Sequence, residues 1–116
     1  MAYRYLFFRP ARLPLEPGEL DASTALNLAN TNEVRAMVEQ AFPGLTWESP
    51  HRGHATVQGN WYEIHLPETT ELTLSVRCSL RLDHAEFVQS LCDRFGWLAF
   101  DEQPMCFQPG RAPFRV

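Results

Sequence analysis

His54-Ala-Thr-Val-Gln58, Gly59-Asn60 and Trp61-Tyr-Glu-Ile-His-Leu66 form one continuous stretch whose alternation decides how the chain folds. Glycine followed by asparagine between two runs of period-2 pattern predicts a β-hairpin with a two-residue loop. Gly59 can take the positive φ that such a turn needs. Successive side chains of a strand point to opposite faces. Ala55, Val57, Tyr62, Ile64 and Leu66 therefore share an apolar face, and His54, Thr56, Gln58, Trp61, Glu63 and His65 share the other. With Gly59-Asn60 as the loop, Gln58 stands opposite Trp61 and His54 opposite His65.

The same period continues on both sides of the hairpin. Downstream, Glu71 to Ser79 turns Leu72, Leu74, Val76 and Cys78 inward and Thr73, Ser75, Arg77 and Ser79 outward. Upstream, Leu45 to Ser49 reads as a short strand interrupted by Pro50 and Gly53. The period then changes to that of a helix. Val34, Met37, Val38, Ala41 and Phe42 form one stripe, capped by Thr31 or Asn32 and ended by Pro43-Gly44. Phe87, Val88, Leu91, Cys92 and Phe95 form a second. Asp83 is read as its cap, with Glu86 in the reciprocal position and Gly96 as the left-handed terminator.

At the front, Tyr3 to Arg9 carries large apolar groups on both faces and reads as a central strand. Residues 10–30 hold Pro10, Pro14, Pro17 and Gly18 and read as a long irregular connection, with a short helical turn at Ala25 to Ala29. Trp97 to Phe100 and Met105 to Phe107 are two further strands, and residues 108–116 are expected to be a flexible tail. The order predicts a single α+β domain over residues 1–107. Its form is a two-layer sandwich, ferredoxin-like or a variant, with a mainly antiparallel sheet of five or six strands and two helices on one face.

Composition removes several function classes. The 116 residues are 45% hydrophobic and 12% aromatic, enough for one packed core. All ten basic residues are arginine, which hints at a GC-rich bacterial genome. The net charge of −4 and the scattered arginines, clustered only at Arg4, Arg9 and Arg12, argue against a nucleic-acid partner, whose phosphates demand a basic excess. No apolar run is long enough for a bilayer and no leader pattern follows Met1, so a cytoplasmic protein without a membrane partner is expected. The three cysteines, Cys78, Cys92 and Cys106, form no CxxC pair and read as reduced thiols, one or two of them buried as small apolar groups.

Chemistry-bearing patterns are few. The chain holds no GxSxG, HExxH, Walker or GxGxxG motif, so no catalytic residue and no cofactor is assigned, and an enzyme is not expected. Cys92 or Cys106 with a surface His84 is an arithmetic Cys–His pair, but Cys92 sits on an apolar stripe where a thiol is inert. His54 and His65, facing each other on the polar face with Glu63 or His51 nearby, are weak candidates for a metal. Trp61 among Gln58, Glu63 and Arg77 has the composition of an interface anchor ringed by polar groups.

Tyr3-Arg-Tyr-Leu-Phe-Phe-Arg-Pro10 and Leu91-Cys-Asp-Arg-Phe-Gly-Trp-Leu-Ala-Phe-Asp101 resemble the opening strand and the closing helix–strand unit of small uncharacterised bacterial cytosolic α+β proteins. Some of these are immunity proteins of toxin systems. The likeness covers the two ends of the chain only, and Glu102-Gln-Pro104 stands where such proteins often continue with Gln-Thr-Gly. It bears on the fold more than on the function. The small acidic domain, the missing catalytic constellation and the open face with Trp61 among polar groups lead to the expectation of a non-enzymatic interaction domain, an immunity or antitoxin-type inhibitor of a basic toxin steered by the acidic net charge. The expected partner-binding residues are Trp61, Glu63, His65 and Arg77 on the sheet, with Asp101 and Glu102 on a loop. The alternatives are a small-molecule or metal-binding domain using the same face, and a homodimer that buries it.

Overall fold

The first strand of the chain lies in the middle of the sheet, and every neighbouring pair of strands is antiparallel. The computed structural model describes residues 2–13, 16–19, 24–26, 32–66, 74–79, 84–103 and 105–115. The strand β1 (Ala2–Pro10) is followed by a 3-10 turn (Pro17–Glu19), a two-residue strand β2 (Ala25–Leu26) and helix α1 (Asn32–Ala41). A meander follows, of β3 (Thr46–Ser49), β4 (Arg52–Val57), β5 (Asn60–His65) and β6 (Leu74–Ser79). Helix α2 (Ala85–Phe95) leads to β7 (Leu98–Phe100), β8 (Met105–Gln108) and β9 (Arg111–Arg115). Across the sheet the order is β3-β4-β5-β6-β1-β7-β8-β9, with β2 beside the end of β1.

The α+β class is as the periodicity predicts, but among the described residues the sheet path has eight strands, more than the five or six expected. Because neighbours are antiparallel, β1 and β5 run parallel with β6 between them, and β6 and β7 run parallel with β1 between them, each pair connected through a helix. That is the split βαβ order of a ferredoxin-like sandwich, extended by β3 and β4 at one edge and by β8 and β9 at the other. The expected tail is largely strand. Pro109-Gly110 makes a two-residue turn between Gln108 and Arg111, with Gly110 at φ 65°, the residue order and sign of a type II turn. Pro113 is tolerated because β9 is an edge. The helical turn expected at Ala25 to Ala29 is replaced at Ala25–Leu26 by the pairing with Arg9 and Pro10; residues 27–29 lie outside the described residues.

The hairpin forms one residue earlier than its sequence suggests. The loop is Gln58-Gly59, with Val57 paired to Asn60, and both loop residues have positive φ, 53° and 81°. That is the type I′ geometry, whose twist matches the flanking strands. Moving the turn by one residue moves the pairing by two, so no side chain changes face but every cross-strand partner changes. His54 pairs with Glu63, Thr56 with Trp61 and Arg52 with His65.

Both helices pack on the face formed by Tyr5, Phe7, Ala55, Tyr62, Ile64, Leu74, Val76 and Cys78, all buried. From α1 come Val34, Val38 and Ala41, then Phe42; from α2 come Val88, Leu91 and Cys92. Phe42, Tyr62 and Phe87 meet in one aromatic cluster, with ring centroids 4.9 to 5.7 Å apart, and so join both helices to β5. Gly96 terminates α2 in the left-handed region, as expected. The N-cap position of α2 is His84 and not Asp83, with no side-chain cap bond. Of the two expected caps of α1, Thr31 lies outside the described residues and Asn32 is the first residue of the helix.

Candidate interaction face

The sheet face away from the helices has two halves of opposite character. Over β1, β7, β8 and β9 it is apolar. Leu6 pairs with Phe100, Phe100 with Cys106 and Cys106 with Phe114, while Phe8 pairs with Leu98. Leu98 and Cys106 are fully buried although they do not belong to the helix-side core. The 10–30 connection reaches this half, where Glu16 forms an ion pair with Arg111 of β9 at 3.0 Å.

Over β3 to β6 and the start of β1 the face is polar and open. Register places Thr46, His54, Glu63, Arg77 and Arg4 side by side across five strands. Trp61, one position along β5 on the same face, is 41% exposed, unusual for so large an apolar side chain. The ring N–H of His65 donates to Glu63 at 2.6 Å, and Arg77 lies 3.6 Å from the same carboxylate oxygen. This hydrogen bond, helped by the charges of His65, Arg77 and Arg52, holds the Glu63 carboxyl below the usual glutamate range. His54 pairs with Glu48 of the edge strand at 2.7 Å.

An open groove of about 510 Å³ runs across this face, lined by Arg4, His65, Ser75, Arg77 and Glu102. Five of the six residues expected at a partner surface, Trp61, Glu63, His65, Arg77 and Glu102, are thus gathered in or beside one region. Asp101 is not among them. Its Oδ1 accepts the backbone N–H groups of Gln103 and Met105, at 2.9 and 2.6 Å, and it bonds to Tyr3. It shapes the β7–β8 turn. Arg4 and Ser75 were not foreseen as site residues; both follow from strand alternation once β1 is known to lie beside β6.

Two expectations are corrected. His54 and His65 do not face each other, because the turn shift sets them two pairs apart, and each is held by its own glutamate. Among the described residues no three His, Cys, Asp or Glu side chains are gathered as metal ligands. His84 is buried, not on the surface, and its Nδ1 lies 3.0 Å from the Tyr62 hydroxyl. All three cysteines are buried free thiols. Burial pushes Cys78 up to about 11 and raises Cys92 and Cys106 as well, the reverse of what a nucleophile needs.

No family model, curated protein or solved structure matches this chain. Among the described residues no helix is long and apolar enough to cross a membrane.

Proposed function

We propose that this protein is a non-enzymatic interaction domain that binds another protein through the open half of its sheet. The observation that carries this reading is Trp61. It is 41% exposed on a polar strand face, two residues along β5 from Glu63, the cross-strand partner of the groove residue Arg77. An aromatic anchor in a polar ring is the composition in which binding energy concentrates. The finer reading, an immunity or antitoxin-type inhibitor of a basic toxin, draws on the net charge of −4, which favours association with a basic partner at long range. The face itself is nearly balanced, with Arg4, Arg52 and Arg77 against Glu48, Glu63 and Glu102.

Affinity capture from cells that naturally produce the protein tests this, with wild type and Trp61→Ala side by side. A partner retained in stoichiometric amount by wild type and lost by Trp61→Ala supports the interface; loss of such an anchor typically costs about 2 kcal/mol or more. A partner kept equally by both moves the interface elsewhere, and no stoichiometric partner with wild type rejects the reading. The groove favours a second reading, a small-molecule site on the same face, which a thermal-shift screen of small anions and nucleotides separates from the first.

A further inference from the structure

Arg4 of β1 and Arg77 of β6 are direct cross-strand partners on the open face. Cβ atoms of such pairs lie about 5 Å apart, and like charges so placed repel. Both side chains are exposed and both line the groove. Nearby carboxylates offset this only in part. Glu63 divides one carboxylate oxygen between His65 at 2.6 Å and an ion pair with Arg77 at 3.6 Å. Glu102 accepts the backbone N–H of Arg4 at 3.0 Å. Among the described residues the Arg4 guanidinium makes no ion pair. The groove therefore sets two guanidinium groups, the Ser75 hydroxyl and the His65 ring against one lining carboxylate.

We infer that the space between Arg4 and Arg77 is a subsite for the carboxylate of an acidic side chain presented by the partner protein. The inference rests on the interaction reading above and adds the chemistry the partner must bring. A carboxylate inserted there takes charge-assisted hydrogen bonds from both guanidinium groups, in the forked geometry that suits arginine, and relieves their repulsion. Ser75 supplies a neutral donor on the same strand as Arg77. Trp61 lies nearby on β5, so the partner would offer an apolar pocket and an acidic residue side by side.

The test is a two-dimensional NMR titration of the whole chain with a capped Gly-Glu-Gly peptide, its Gly-Gln-Gly counterpart and inorganic phosphate. It is run on wild type, Arg4→Gln, Arg77→Gln and the control Arg94→Gln, whose side chain is exposed on α2. The glutamyl peptide is expected to move the amide signals of Arg4, Ser75 and Arg77 with a dissociation constant on the order of 1 mM. Either groove variant should weaken it by about tenfold, Arg94→Gln should not, and added salt should weaken it further. The inference is overturned if those signals stay still, if the glutaminyl peptide moves them equally, if phosphate alone moves them, or if both groove variants bind as wild type does. No partner is in the sample, so a negative result here is distinct from a negative capture with Trp61→Ala.

Discussion

Gln58 is the residue that least suits its place. It occupies the first loop position of a type I′ turn at φ 53°, where a side chain with Cβ meets the following carbonyl oxygen. Asparagine tolerates this region because its short polar side chain bonds to local backbone, and Asn-Gly is the favoured pair for this turn. Gln58→Asn is expected to stabilise the fold by about 0.5–1 kcal/mol, seen as a higher urea midpoint with unchanged slope. A lower midpoint would mean that the Gln58 side chain makes a stabilising contact absent from the turn geometry. Gly53 in the paired strand is constrained for another reason. A Cβ there would lie 2.9 Å from the end of the Leu45 side chain, 3.1 Å from the Thr46 carbonyl oxygen and 3.2 Å from the Trp47 ring, so a larger residue obliges these neighbours to shift.

At the scale of elements, the edge strand β3 is fastened to α1 by Trp47. Its indole N–H donates to Glu39 at 3.0 Å, and the Arg35 guanidinium lies 4.2 Å from the ring centroid. Trp47→Phe keeps a ring for Arg35 and removes the donor. The expected cost is about 0.5–1.5 kcal/mol, with faster amide hydrogen exchange in β3 than in β5, because only the edge loses its tie. Equal acceleration in both strands would show that β3 opens only with the whole sheet. At the opposite edge, β9 shows how a short Pro-Gly turn turns a proline-broken segment into sheet.

For the whole molecule, titration sets the pH limits of stability. Burial above all, with Asp101 adding for Tyr3, pushes the hydroxyls of Tyr3 and Tyr62 up to about 12 from 10.0. A raised value favours the neutral phenol in the folded state, so this contribution is complete below 10 and is lost as pH rises from 10 toward 12. Glu63 is shifted downward from 4.5, so its contribution is present above that value and is lost as pH falls through the folded one. The expected profile is a plateau between these limits. Thermal unfolding followed against pH should show Tyr62→Phe flattening the alkaline limb and Glu63→Gln the acid limb. Unchanged limbs in both variants would assign the pH dependence to other groups. Tyr62→Phe should also lower the plateau by about 1–3 kcal/mol, because it leaves the buried His84 Nδ1 without its hydroxyl partner.

Local periodicity was enough to send Val57, Tyr62, Ile64, Leu74 and Val76 inward and Trp61, Glu63, His65 and Arg77 outward, because a side chain's face depends only on its own strand. It also located both helices and their stripes. Which residues meet across strands is a long-range matter. The one-residue shift of the turn to Gln58-Gly59 kept every face and separated His54 from His65. The place of β1 between β6 and β7 set Arg4 beside Arg77, 73 positions apart in the chain, and Pro109-Gly110 closed β9 onto the sheet. No pattern in either strand encodes that juxtaposition, because each strand satisfies its own alternation with any antiparallel neighbour. Packing of two helices over one shared apolar face selects which neighbour it is.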